Sequence, residues 1–155
     1  MAAADENPPR TAPMKIRLLM LGKTRRPELR ATIDDYVKRI SHANPIEIEE
    51  LRDADSALKK LDANRAATAV LLDAAGKPFD SESFAKWIGD QRDHGTRELI
   101  FLCGDADGFP KGLRERVRQK ISLSPMTYSH ELARAMLAEQ LYRAFAILSG
   151  SPYPR

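Results

Sequence analysis

The chain has 155 residues, 43% of them hydrophobic and 30% charged, enough for one domain to bury roughly 70% of the surface that its unfolded chain exposes. Disorder throughout is thereby excluded, and a single cysteine, Cys103, excludes a disulfide scaffold and a thiolate metal cluster. Twenty-five Lys and Arg against 22 Asp and Glu leave a net charge of only +3, so any basic site must arise from clustering rather than from overall charge.

Residues 1–13, MAAADENPPRTAP, are small, polar and proline-rich and end before a second methionine, Met14. They read as a disordered extension, with residues 14–155 as one domain. No apolar stretch approaches the roughly 20 residues of a membrane span, and the N-terminus lacks the regions of a signal peptide. A soluble, cytoplasmic protein with no membrane partner is expected.

Ile16 to Leu21 form an apolar run ending at Gly22, a strand with neither face in water. A basic loop, Lys23 to Arg26, follows, and Pro27 opens a helix with Leu29, Ile33, Tyr36, Val37 and Ile40 on one face. After Pro45 the alternation Ile46-Glu47-Ile48-Glu49 predicts a strand near the sheet edge, and Ala57, Leu58 and Leu61 mark a short helix. Ala69 to Leu72 predict a buried strand stopped by Asp73 and a turn at Ala75-Gly76-Lys77-Pro78. Ser81 is expected to cap the helix carrying Phe84, Trp87 and Ile88.

Leu99 to Cys103 form a second buried run, with Cys103 read as a core strand residue. Beyond the loop Gly104 to Pro110 come a helix with Leu113 and Val117, a short Ile121 to Ser124 segment, and a final helix from about His130 to Leu148. Regular alternation of strands and helices predicts an α/β fold with a mostly parallel sheet covered on both faces.

Ligands in such sheets bind beyond the carboxyl ends of the strands. Three segments qualify: the turn after Leu72, the loop Gly104-Asp105-Ala106-Asp107-Gly108, and Leu123 to Tyr128. The glycine loop fits close backbone approach to a ligand and equally a tight turn without one. No metal site is expected, because the position that would complete a calcium loop begun at Asp105 is Arg116. Phosphate-loop, dinucleotide and nucleophilic-serine motifs are absent. His42 and His94 lie in polar connections and read as surface groups, whereas His130 opens the last helix beside the third segment. Arg134 and Arg143 on the last helix either cover the core with their stems or, converging with Lys23, Arg25 and Arg26 of the first loop, position RNA phosphates. Tyr128, Tyr142 and Tyr153 either pack or stack on an unpaired base.

Taken in order, Leu21-Gly22-Lys23, Leu71-Leu72-Asp73 with Gly76-Lys77, the Gly104 to Gly108 loop, Leu123-Ser124-Pro125-Met126-Thr127 with His130, Glu139-Gln140-Leu141-Tyr142-Arg143-Ala144, and terminal Pro152-Tyr153 resemble the bacterial large-subunit rRNA pseudouridine-N3 methyltransferases. These are small single-domain enzymes of the SPOUT superfamily. The resemblance spans Met14 to Arg155 and is most specific in the C-terminal run. It implies methyl transfer from S-adenosylmethionine to N3 of a pseudouridine in 23S rRNA on assembled ribosomes, by a homodimer whose C-terminal segment forms a trefoil knot. By position it implies cofactor contacts at Leu72, Gly104, Leu123, Ser124, Pro125, Met126, Thr127 and Tyr128. His130 is then a general base or orienting group; Arg134, Arg143 and Tyr153 are its catalytic companions; Lys23, Arg25, Arg26 and Arg155 hold RNA.

Two positions depart from the family. Asp105 replaces the second glycine of the usual Gly-Gly start, and Pro154 stands where the family commonly has a terminal histidine. The second departure favours the competing reading, a noncatalytic RNA- or ribosome-binding protein that keeps the fold.

Overall fold

The computed structural model describes residues 13–153; the N-terminal extension as far as residue 12, and Pro154 and Arg155, lie outside the described residues. In chain order the elements are β1 (Lys15–Leu21), α1 (Pro27–Ser41), β2 (Ile46–Leu51), α2 (Ala54–Ala63), β3 (Thr68–Pro78), α3 (Ser81–Asp93), β4 (Glu98–Cys103), α4 (Lys111–Arg116), β5 (Lys120–Ser122) and α5 (His130–Ser149). The five strands form one sheet in the order β2-β1-β4-β3-β5, with every pairing parallel. The predicted α/β class and parallel sheet are therefore present.

Position in the sheet explains the patterning of each strand. β1 is flanked by β2 and β4, with Leu18 opposite Ile48 on one side and Phe101 on the other, so its run from Leu18 to Leu21 is buried throughout. β2 is the edge that its alternation predicted. Its Glu47 meets Lys15 at 2.9 Å and its Glu49 meets Lys60 at 3.1 Å, charges that blunt an otherwise open edge.

The two faces carry separate cores. Ile16, Leu18 and Met20 point with Phe101 and Val70 toward α1, α3 and α5, while Leu19, Leu21, Leu71, Ile100 and Leu102 point toward α2 and α4. On the first face Phe84 and Trp87 of α3 lie with ring centroids 6.2 Å and 6.1 Å from Phe101. α5 packs against both α1 and α3. Four of its alanines, Ala135, Ala138, Ala144 and Ala146, are buried and let the helices approach closely.

Two local expectations are corrected. β3 does not end at Asp73. It bulges between Leu72 and Lys77, both of which register with Ile121, and then runs on to Pro78. Gly76 permits this, since a Cβ there would lie 2.6 Å from the Lys120 carbonyl carbon and 2.7 Å from the Ile121 nitrogen; the sequence signals a turn because glycine and proline serve bulges and turns alike. Likewise the cap of α3 is Asp80, whose side chain accepts the Ser83 N–H while the Ser83 hydroxyl accepts the Asp80 N–H. Ser81 instead donates its hydroxyl to Gln140 of α5 at 2.8 Å.

No described helix is long and apolar enough to cross a membrane. Gly76→Ala should lower the stability of the protein by about 2 kcal/mol through overpacking against the β5 backbone, read as a lower urea midpoint at unchanged slope.

Candidate active site

Beyond the carboxyl ends of β3, β4 and β5 lies a cleft of about 500 Å³, within the range of small-molecule sites. The three segments singled out from sequence converge on it. The β3 bulge brings Leu72, Asp73 and Ala74 to one wall. The second wall is the loop after β4, folded back so that Asp105 and Gly108 form a bridge. A Cβ at Gly104 would sit 3.0 Å from the Gly108 oxygen, a contact tight enough to favour glycine, and Gly108 adopts φ 79°. Asp105 fits in place of a glycine by accepting the Asp107 N–H at 2.8 Å, a local turn made by its own side chain.

The third wall is residues 123–130. Ser122, buried, donates its hydroxyl to the Ser124 carbonyl at 2.8 Å. The Ser124 hydroxyl in turn receives the Met126 N–H at 3.0 Å and the Tyr128 hydroxyl at 3.4 Å. Ser129 caps α5 by accepting the Leu132 N–H. Capping thus falls to Ser129, and His130 is left to line the cleft, partly exposed.

Next to His130 the first turn of α5 carries two buried charges. Glu131, 6% exposed, accepts the Arg25 N–H at 3.0 Å and the Arg26 N–H at 2.9 Å, and these two donors hold its carboxyl below the ordinary glutamate range. Arg134 is fully buried. Its guanidinium donates to the carbonyls of Leu21 at 2.6 Å, Gly22 at 3.0 Å and Gly104 at 3.4 Å, and to the Thr24 hydroxyl at 2.9 Å. Desolvation lowers its affinity for the proton relative to a free arginine.

Seven of the eight cofactor positions expected from the resemblance line the cleft, as does His130; Pro125 does not. Arg134 differs from expectation, because a guanidinium bound to three carbonyls and a hydroxyl under the cleft is out of reach of RNA. Arg143 and Tyr153 are brought together, but away from His130. Arg143 donates to Glu139 at 2.7 Å and lies 4.9 Å from the Tyr153 ring centroid, and the Tyr153 hydroxyl donates to Glu139 and meets that of Tyr36 at 3.3 Å. Burial, followed by these partners, raises the Tyr153 pKa. Thirteen helical steps lead from His130 to Arg143, about 20 Å along α5, and neither Arg143 nor Tyr153 lines the cleft. Arg155 is outside the described residues.

His42 and His94 are the C-caps of α1 and α3, as surface groups should be. Cys103 borders the cleft, and its thiol is buried, which pushes its pKa up to about 12. Among the described residues no group of three metal-ligating side chains occurs. Phe109, Met136 and Glu131 escaped the sequence reading. The first two look like ordinary core residues, and Glu131 looks like an ordinary first-turn acid.

Residues 14–154 match the family described as "Predicted SPOUT methyltransferase". Among curated relatives, "Ribosomal RNA large subunit methyltransferase H" of Trichlorobacter lovleyi is 40% identical over 153 residues, covering 90% of this chain and 99% of its own. The protein of the same name from Solibacter usitatus is 42% identical over 142 residues, covering 92% and 100%. Among solved structures, a probable methylase family protein from Haemophilus influenzae Rd KW20 superposes with a TM-score of 0.57 at 9% identity, over 92% of this chain and 71% of that one. TrmJ from Z. mobilis ZM4 gives 0.51 at 13% identity, over 84% and 69%; these two establish likeness of fold. The family match over nearly the whole chain, with the curated relatives, shows that the chain belongs to the SPOUT methyltransferase family.

Proposed function

We propose that this protein is an S-adenosylmethionine-dependent methyltransferase that modifies N3 of a pseudouridine in 23S rRNA of the assembled ribosome, acting in the cytoplasm as a homodimer. The observation that supports it most is the convergence of the Leu72, Gly104 and Leu123–Tyr128 segments and His130 on one cleft. The residues present suit the cofactor. Leu72, Leu123, Met126 and Phe109 offer apolar surface, Ser124 and Thr127 offer polar groups, and Gly104 keeps the loop free of a side chain where the backbone folds back on itself.

When bound, S-adenosylmethionine supplies a methyl group already activated by its sulfonium. The chain's own task is to hold donor and acceptor in line and to remove the imide proton. His130, on the cleft wall, takes that proton or orients the base, since a neutral imidazole accepts a proton near physiological pH. Among the described residues His130 is the histidine that lines the cleft, His42 and His94 being the C-caps of α1 and α3. Asp73 and Asp105 put carboxylates on the cleft rim, favouring a cationic ligand.

Arg143 and Tyr153 join the reaction only from a partner subunit. The large hydrophobics exposed among the described residues are Met126 at 70%, Tyr128 at 40% and Leu132 at 37%. Met126 and Tyr128 line the cleft and Leu132 lies in the first turn of α5, so a second subunit seated there would cover apolar surface.

Wild-type protein given labelled S-adenosylmethionine and unmodified ribosomes should incorporate methyl into 23S rRNA. Cofactor binding without incorporation would leave the noncatalytic reading standing. His130→Ala should cut kcat about a hundredfold at nearly unchanged cofactor affinity; equal loss of both would make His130 a packing residue. Sedimentation equilibrium should give twice the 17.4 kDa chain mass, and a stable monomer would leave Arg143 and Tyr153 with no route to the cleft.

A further inference from the structure

The loop between β1 and α1, residues 22–26, is held along its main chain by charged side chains from three other elements. Thr24 N–H donates to Glu50 of β2 at 2.8 Å, and the Thr24 carbonyl accepts from Arg30 of α1 at 2.9 Å. Arg30 also pairs with Glu50, so the two form one clasp. Arg25 and Arg26 N–H both donate to Glu131 of α5, and Arg134 takes the Gly22 carbonyl and the buried Thr24 hydroxyl. At Gly22 the N–H continues onto the Leu51 carbonyl at 2.8 Å.

Both carboxylates are thus committed to backbone N–H groups of the loop, not to its outward cations. Lys23 and Arg25 remain exposed, while Arg26 is partly compensated by Glu28 at 2.9 Å. A polyanion meets charges whose backbone is already fixed, so the ordering cost falls on folding and not on binding. Since Glu131 follows His130 directly and their side chains lie 3.8 Å apart, the same turn of α5 sets the loop against the cleft.

We propose that Glu131, seconded by Glu50, is a positioning residue for RNA engagement: its buried carboxylate clamps loop 22–26 so that Lys23 and Arg25 stand as a preformed phosphate-binding rim beside His130. Only the identity of the polyanion rests on the rRNA methyltransferase reading.

The test uses full-length protein and unmodified ribosomes. In Glu131→Ala the Arg25 and Arg26 amides should exchange with deuterium at least about tenfold faster, the equivalent of one lost charge-assisted hydrogen bond. Ribosome affinity should fall about tenfold with the S-adenosylmethionine Kd nearly unchanged. The decisive readout is a double-mutant cycle, because Lys23→Ala/Arg25→Ala should weaken ribosome binding much less in the Glu131→Ala background than in wild type. Equal losses in both backgrounds, or unchanged amide protection, would overturn the proposal. Should Glu131→Ala fold poorly, Glu131→Gln, which keeps one acceptor oxygen, enters the same cycle with smaller expected effects of the same sign. Wild type that binds ribosomes without methylating them would remove the enzymatic reading while the cycle still decides the clamp; wild type that binds no ribosomes overturns the rim.

Discussion

One buried guanidinium holds the carboxyl ends of the neighbouring strands β1 and β4 together. Arg134 reaches from α5 to the carbonyls that end β1 and to the carbonyl by which the chain leaves β4, where parallel strands diverge and their last carbonyls lack ladder partners. The buried charge is tolerated because its two terminal nitrogens meet carbonyls and a hydroxyl, although Nε has no hydrogen-bond partner among the described residues, and because Glu131 and Glu50 lie close enough to favour it electrostatically. The cleft, the basic loop and His130 are all positioned relative to that one side chain.

The site accordingly owes its shape to backbone held by side chains. Ser122 and Ser124 organise the third wall, Asp105 its own loop, and Glu50 and Glu131 the loop after β1. Each is a short polar or acidic group satisfying N–H donors or carbonyls that lie outside the regular elements, and each is supported by a strand or helix end. A family of loops on an α/β sheet gains fixed geometry in this way without adding residues.

Much of this was legible in the chain. Buried strands announced themselves as unbroken apolar runs, the edge strand as alternation, and the cleft segments as the stretches that follow strand ends. The failures have physical causes. Gly76-Lys77-Pro78 reads as a turn because a bulge and a turn use the same residues, and only the closeness of β5 distinguishes them. Arg134 looks like one more helical arginine near RNA, since burial depends on which turn of α5 faces β1 and β4. Arg143 and Tyr153 are grouped with His130 by the family pattern, whereas within one subunit α5 sets Arg143 about 20 Å from His130. Glu131 gave no distinctive signal, because its partners are backbone amides more than a hundred residues away in sequence.

The burial of Cys103 has a chemical consequence. A thiolate beside an activated methyl group would itself be a competent acceptor, and the chain's single sulfhydryl borders the cleft proposed to hold such a donor. With burial pushing its pKa up to about 12, the thiol stays protonated near neutral pH. Desolvation at the end of β4 therefore shields the protein from alkylating itself, and lets a sulfur atom serve as inert packing next to an electrophile.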